Sequence, residues 1–261
     1  QAEDGIRDDL VTGVQTCALP IWLLVLEALA NAKGGRGVTE LARELELTKS
    51  NTFRLLKTLA TLGSAKHAAH GTRYVATIKV WQLGHHALDN TDLPALAGPF
   101  LSALSKRFGE TIYLAVPDGL SVVYIDKIDS RQPIRSWNPV GGNAPIHCVG
   151  TGKALLAADF ERLREQVRGH LTRYTERTIT SMKQLERDMA DTTARGYAID
   201  TGEFRERVCS FGAAILLPNG KPIAAIGVSV PDVNLTDERT IEIGEGVRDA
   251  ARGVGQALHN G

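Results

Sequence analysis

One stretch restricts the fold of this chain more than any other: VTELARELELTKSNTFRLLKTLATLG, residues 38–63. Thr39 is a suitable N-cap for a short helix that turns Leu41, Ala42 and Leu45 inward. Only Glu46-Leu47 separates it from a second N-cap, Thr48. The helix that follows, Lys49 to Leu62, is expected to bury Phe53, Leu56 and Leu59, and Gly63 is placed to end it. Upstream, Leu23, Leu26, Leu29 and Ala30 have the spacing of a buried helical stripe, broken by the run Asn31 to Gly37. Three helices with a tight turn before the last make a helix-turn-helix.

The last helix is expected to turn polar, basic side chains outward. Ser50, Arg54, Lys57 and Thr61 are separated by four, three and four residues and so share one face. Asn51 sits beside them. Such side chains suit phosphates and base edges in a major groove, and Thr48, Lys49 and Ser50 at the helix N-terminus could hold a phosphate. A hairpin over Ser64 to Ala76, turning at His70-Gly71 and returning through Arg73-Tyr74-Val75, adds a wing. Lys66, His67, His70 and Arg73 would lie along the sugar-phosphate backbone. His67 and His70 have no third ligand nearby, so no metal site is expected.

Charge supports this reading once it is divided along the chain. Thirty basic and thirty acidic side chains cancel overall. Residues 22–82 nevertheless hold nine Lys/Arg against four Glu, whereas residues 83–261 hold 20 basic and 22 acidic side chains. The basic excess therefore coincides with the helix-turn-helix.

Residues 1–21 read differently, with four acidic side chains and one basic. The string VTGVQTCALPI, Val11 to Ile21, looks like one frame of a DNA-sequencing adapter. We expect residues 1–21 to be a non-native leader, with an ordinary disordered tail as the alternative, and Cys17 carries no functional weight. The order of charge and apolar residues is the reverse of a secretory signal. The longest apolar run, Ala18 to Leu26, falls far short of the roughly 20 residues a membrane span needs. Three cysteines make no disulfide framework. A cytoplasmic protein with no membrane partner is expected.

In order along the chain, VTELARELELTKSNTFRLLKTLATLG, RYVATIKVWQLG, GETIYLAVPDGLSVVYIDKI, VGGNAPIHCVGTGKALLA, TRYTERTIT, RGYAID and AAILLPNGKPIAAIGVSVP resemble the IclR (isocitrate-lyase-regulator) family of bacterial transcription factors. The resemblance implies a winged helix-turn-helix (22–76), a linker helix (77–93) and a GAF-like effector-binding domain (94–261). It also implies homodimers, often paired into tetramers, on double-stranded operator DNA. Two departures stand out. An aromatic usually follows the helix-ending glycine, where this chain has Ser64-Ala65. An earlier first turn carrying arginine is replaced here by Val11 to Ile21.

The remaining residues read as an α+β domain. Leu83 to Leu93 continues a helix, and Pro94 starts another with Leu96, Phe100, Leu101, Leu104 and Phe108 inward, ended by Gly109. Thr111–Val116 and Ser121–Ile128 flank a turn at Pro117-Asp118-Gly119; Phe211–Leu217 and Ile223–Val230 flank Pro218-Asn219-Gly220. Helices near 152–159, 160–169, 182–195 and 236–258 would cover a largely antiparallel sheet. His147-Cys148-Val149-Gly150-Thr151-Gly152-Lys153 fails the phosphate-loop pattern and reads better as a loop offering amides to an anion.

For the effector, expected to be a carboxylate or aromatic acid, the resemblance implies a pocket built from Gly150, Thr151, Asp200, Gly227 and Ser229. A further position is Ser210 or, with a one-residue gap, Cys209. The family's serine at Gly227 is missing. His147-Cys148 and Glu203 with Cys209 raise a thiol enzyme as an alternative, but no nucleophile signature surrounds either cysteine, and Asp126, Asp129, Glu203 and Glu206 have no acid/base spacing. Trp137, between Pro133 and Pro139, suits core or interface packing, or a cap on a ligand cavity. The chain is therefore expected to be a non-enzymatic, cofactor-free regulator whose operator affinity a small organic acid controls. The alternative is a small-molecule sensor with an impaired DNA-binding unit.

Overall fold

The computed structural model describes residues 18–32, 34–68, 72–80, 82–83, 93–132 and 138–260. They fall into two units, Gln1–Thr91 and Asp92–Gly261. The expected turn at His70-Gly71, Cys17, Pro133, Trp137 and most of the helix over Leu83 to Leu93 lie outside the described residues.

In the first unit, α1 spans Ala18–Ala30, α2 Val38–Glu44 and α3 Lys49–Thr61, followed by β1 (Ala65–His67) and β2 (Tyr74–Ala76). Helix α1 begins inside the stretch expected to be a leader, with Pro20 in its first turn, where the missing N–H costs nothing. Its inward stripe is Trp22, Val25, Leu26 and Leu29; Leu23 and Ala30, expected inside, are exposed. Val25 and Leu29 set the phase, and Leu23 lies some 160–200° around the helix from Val25.

The N-cap of α2 is Gly37, not Thr39: the Glu40 carboxylate accepts the Gly37 N–H at 3.3 Å. Thr48 caps α3 as expected, its hydroxyl accepting the Asn51 N–H at 3.2 Å. Thr52 is buried, donating its hydroxyl to the Thr48 carbonyl at 3.0 Å. With Thr52, Leu56 and Leu59 inward, Phe53 is rotated out and is 49% exposed, against expectation.

The wing is tied to the loop before α2. Arg36 and Tyr74 exchange both backbone hydrogen bonds, each 2.8 Å. Gly35, at φ +81°, lies so close that a Cβ would come 2.5 Å from the Tyr74 carbonyl oxygen. Ser64 and Ala65 are buried, and Tyr74 is the buried aromatic of this small core, with Trp22 packed against it. Beyond the wing, Lys79 Nζ donates to the Leu62 carbonyl at 2.6 Å, a cation at the C-terminus of α3.

The second unit contains α4 (Leu93–Phe108), β3 (Thr111–Asp118), β4 (Ser121–Ile128), β5 (Asn143–Pro145), α5 (Gly150–Ala158), α6 (Phe160–Val167) and α7 (Met182–Arg195). They are followed by β6 (Ala198–Asp200), β7 (Val208–Leu216), β8 (Pro222–Pro231) and α8 (Asp237–Asn260). The six strands form one antiparallel sheet in the order β5-β4-β3-β8-β7-β6. This is the α+β class expected. The short strands β5 and β6 were not anticipated, and β3 continues through Pro117-Asp118, which moves the turn to Gly119-Leu120.

Alternation divides the sheet between two cores. Ile112, Leu114, Phe211 and Ile226 pack with α4 and α8, whereas Tyr113, Ala115, Val122 and Tyr124 pack with α5, α6 and α7. Helix α5 lies against β7 and β8 where side chains are missing. A Cβ on Gly212 would meet the Gly150 carbonyl oxygen at 2.2 Å, and one on Gly150 would meet the Phe211 backbone at 2.7 Å.

Because that obstruction is backbone, Gly212→Ala should lower stability by about 3 kcal/mol. Gly98→Ala, in α4 with open space around it, should be neutral or slightly stabilising. Urea unfolding of both variants checks this, and similar midpoints would refute the packing argument.

Candidate functional site

Two sets of side chains stand out, one in each unit. On α3, Lys49, Ser50, Asn51, Arg54 and Lys57 are all exposed. Lys49, Arg54, Lys57 and Lys66 have no acidic partner among the described residues. The nearby acids are engaged elsewhere, Glu40 with Arg73 at 2.9 Å and Glu44 with Arg36 at 3.7 Å. The face of α3 therefore keeps its positive charge. Thr61 donates its hydroxyl to the Lys57 carbonyl at 3.0 Å. Asn51 and Arg54 border a cleft with Trp22 and Leu47.

The wing residues differ among themselves. Lys66 is exposed, and the His67 ring stacks on Tyr74 at 4.2 Å between centroids. Arg73, expected along a DNA backbone, has its guanidinium held within the unit. It donates to the Gly35 carbonyl at 3.0 and 3.2 Å and to Glu40 at 2.9 Å. The charge pairs locally because Glu40 faces the base of the wing.

In the second unit, strand register gathers the pocket. Asp200 is opposite Ser210, Ser210 opposite Ser229, and Ser229 opposite Thr111; in the next row, Gly212 is opposite Gly227 and Gly227 opposite Tyr113. With the first turn of α5 these rows line a small cavity of about 30 Å³. Thr151, Asp200, Ser210, Gly227 and Ser229 all line it. Cys209 does not: it is buried on the opposite face of β7, and Ser210 is the residue of the two that lines the cavity. Gly150 contributes backbone, its N–H donating to Ser210 Oγ at 2.9 Å. Gly227 makes room for Thr151, whose Cγ2 would be 2.5 Å from an added Cβ.

Asp200 organises this floor. One oxygen accepts the N–H groups of Gly202 (2.9 Å) and Glu203 (2.6 Å), and the other accepts the Ser210 hydroxyl (2.7 Å). Burial pushes its pKa up to about 6, although these bonds oppose the shift. By contrast, Thr151 Oγ1 is buried and makes no hydrogen bond of good geometry. The Tyr124 phenol lies within hydrogen-bonding reach of it; burial pushes that phenol's pKa upward and the Thr151 side chain opposes the shift.

Sequence patterns missed several lining residues: Tyr113, Tyr124, Asn138, Phe204 and Arg205. Tyr113 and Tyr124 lie on predicted strands, so alternation could have found them; Asn138 and Arg205 lie in loops without a motif. Arg205 donates to the Asn138 side chain at 2.9 Å, and the Asn138 N–H donates to the Tyr113 hydroxyl at 3.1 Å.

Lys153, the lysine of the rejected phosphate-loop pattern, points away from the cavity. It is 1% exposed. Its ammonium reaches Glu203 at 2.5 Å, the Ile199 carbonyl at 2.6 Å and Asp188 at 2.9 Å. The two carboxylates raise its pKa despite burial. One ammonium cannot neutralise both, and burial pushes Glu203 up to about 7.

Burial also raises the Cys148 thiol and pushes Cys209 up to about 11, while the buried His147 ring bonds the Thr172 carbonyl. Neither thiol is thereby activated. Among the described residues, no group of acidic, His and Cys side chains could hold a metal ion, and no helix is long and apolar enough to cross a membrane.

Residues 20–67 match the IclR helix-turn-helix domain, and residues 85–256 match the bacterial transcriptional regulator IclR C-terminal domain. The chain belongs to the IclR family. It is 31% identical to the HTH-type transcriptional repressor AllR of Escherichia coli K12 over 243 residues, 92% of this chain and 90% of that one. The IclR crystal structure from Thermotoga maritima superposes with a TM-score of 0.77 at 27% identity, covering 92% of this chain and 98% of the other. An IclR homologue from Microbacterium hydrocarbonoxydans, crystallised with 4-hydroxybenzoate, shares the fold at a TM-score of 0.82 and 24% identity, over 93% and 99% of the two chains. As an IclR-family member, this protein is a transcriptional regulator with a DNA-binding helix-turn-helix and a C-terminal effector-binding domain.

Asp200 supplies a test of the pocket floor. Its carboxyl holds a proton to about pH 6 in the folded chain and to its ordinary 3.8 when unfolded. Its stabilising contribution is therefore complete below about pH 3.8 and lost as pH rises through about 6. Relative to Asp200→Asn, the wild type should lose up to about 3 kcal/mol across that window. Denaturant unfolding at a series of pH values measures it, and a difference independent of pH would contradict the assignment.

Proposed function

We propose that this regulator binds operator DNA through α3 and the wing, and that a small organic acid in the cavity of the second unit sets its operator affinity. The observation that carries the acid is the cavity at the first turn of α5, whose lining brings together the hydroxyls of Thr151 and Ser229, the Tyr124 phenol and Arg205. A helix N-terminus favours an anion, and the hydroxyls supply short polar contacts. Asp200 and Ser210 are engaged with each other and with loop amides, so they support the site rather than meet the ligand directly. Gly150 fixes the helix end, and Gly227 leaves the space that Thr151 occupies.

On the DNA side, Arg54 and Lys57 supply affinity. Ser50 and Asn51 are assigned to base edges or phosphate, Thr48 and Lys49 to a phosphate at the helix N-terminus, and Lys66 to the backbone beside the wing. Arg73 braces the wing. Two chains, or a dimer of dimers, would present recognition helices to half-sites about 34 Å apart. An effector that favours one spacing of those helices changes operator affinity by the difference in its binding to the two states. Buried thiols with raised pKa values and a His147 ring held by a carbonyl favour this non-enzymatic reading.

Electrophoretic shifts with the adjacent promoter region test the first half. Arg54→Ala and Lys57→Ala should each weaken binding about tenfold and lower the slope of log affinity against log salt by about one. Absence of salt-sensitive binding by well-folded wild type would end the proposal. Calorimetric titration with a panel of two- to eight-carbon carboxylates tests the second half. Thr151→Val should weaken the acid that binds the wild type about fivefold to tenfold, and failure of every acid to bind would refute the effector assignment.

A further inference from the structure

The large apolar side chains of α3 divide unequally. Leu55, Leu56 and Leu59 belong to the small core of the first unit, whereas Phe53 is 49% exposed. Its direction follows from the helix phase: with Thr52, Leu56 and Leu59 inward, Phe53 is turned about 100° away from the core centre. One turn before it is Lys49 and one turn after it is Lys57; Arg54 adjoins it and Ser50 lies three residues back. None of these three cations has an acidic partner among the described residues. A phenyl ring therefore stands within a group of cations on the helix assigned to DNA.

A single exposed apolar side chain is ordinary on a protein surface. This one is constrained by its neighbours. Three cations around the ring disfavour a basic protein partner and favour a polyanion. A duplex held by those cations presents few apolar groups in its major groove, chief among them the C5-methyl of thymine, and phenylalanine is among the side chains that contact it. The hydroxyl, amide and guanidinium groups nearby read donors and acceptors, and Phe53 adds the apolar element they lack.

We propose that Phe53 is a base-specificity residue that packs against a thymine methyl group in each operator half-site. The inference rests on the DNA-binding role of α3 and assigns to it a residue whose sequence spacing had suggested the core.

The experiment uses the full-length protein and duplexes selected by the wild type from a library with a randomised core. Thymines in a selected duplex are replaced by uracil one at a time, which removes only the methyl group. Binding is measured by fluorescence anisotropy for wild type, Phe53→Ala and Phe53→Leu. At one position per half-site, uracil should weaken wild-type binding about fourfold, the effect of one buried methyl group. The same replacement should leave Phe53→Ala unchanged, and Phe53→Leu should retain part of the discrimination. The melting temperatures of both variants should match the wild type, because the side chain is outside the core.

Identical uracil sensitivity in Phe53→Ala and wild type would overturn the proposal, as would selection of the same thymine by Phe53→Ala. A wild type that selects no duplex would instead remove the DNA-binding role of α3, and this inference with it.

Discussion

One buried ammonium, Lys153 Nζ, holds the effector-binding unit together around its site. It joins α5 to the Ile199 carbonyl of β6, to Glu203 in the following loop and to Asp188 of α7. Removing a charge from water costs several kcal/mol, and removing one member of such a set leaves the others buried without a partner. The arrangement therefore persists only with all its members in place. The pocket floor depends on it: Glu203 also donates its N–H to Asp200, which accepts from Ser210, which in turn receives the Gly150 N–H. A continuous polar chain thus runs from the ion cluster to the start of α5.

This dependence explains why part of the site was legible in sequence and part was not. Gly227 and Ser229 sit on an expected strand, so a period of two places them on one face, whereas Asp200 and Ser210 were indicated only by the family resemblance, because β6 and the start of β7 were not anticipated. The ambiguity between Cys209 and Ser210 is an uncertainty of one residue, and one residue reverses the face. Arg205 and Asn138 meet across two loops, a contact between residues 67 positions apart that no local pattern encodes. Lys153 looked like half of a phosphate-binding motif, and only the positions of Asp188 and Glu203 reveal it as a core ion.

The first unit shows the same division. Thr48 was identifiable as a cap because capping is local, and the helix after it follows directly. Phe53 was misplaced because phenylalanine is usually interior, whereas the phase of α3 is set by the small Thr52, whose hydroxyl returns to the Thr48 carbonyl. Arg73 was placed along a DNA backbone from its charge and its position on the wing; it is exposed, but its partners within the unit, Gly35 and Glu40, lie more than thirty residues earlier. Local signals located the elements well. Phase and long-range charge pairing needed the folded chain.

The contact among Gly150, Gly212 and Gly227 has a consequence for how such a protein can change. Helix α5 meets the sheet through backbone, and any methyl group at Gly150 or Gly212 would strike main-chain atoms. Those two positions are closed to gradual substitution, while the ring of hydroxyl, phenol and guanidinium groups around them is open to it. A lineage can therefore exchange one metabolite for another by altering the rim, with the spacing of helix and sheet passed on unchanged. At Gly227 the obstacle is the end of the Thr151 side chain instead, so that position is an intermediate case, available to a lineage that changes both residues together.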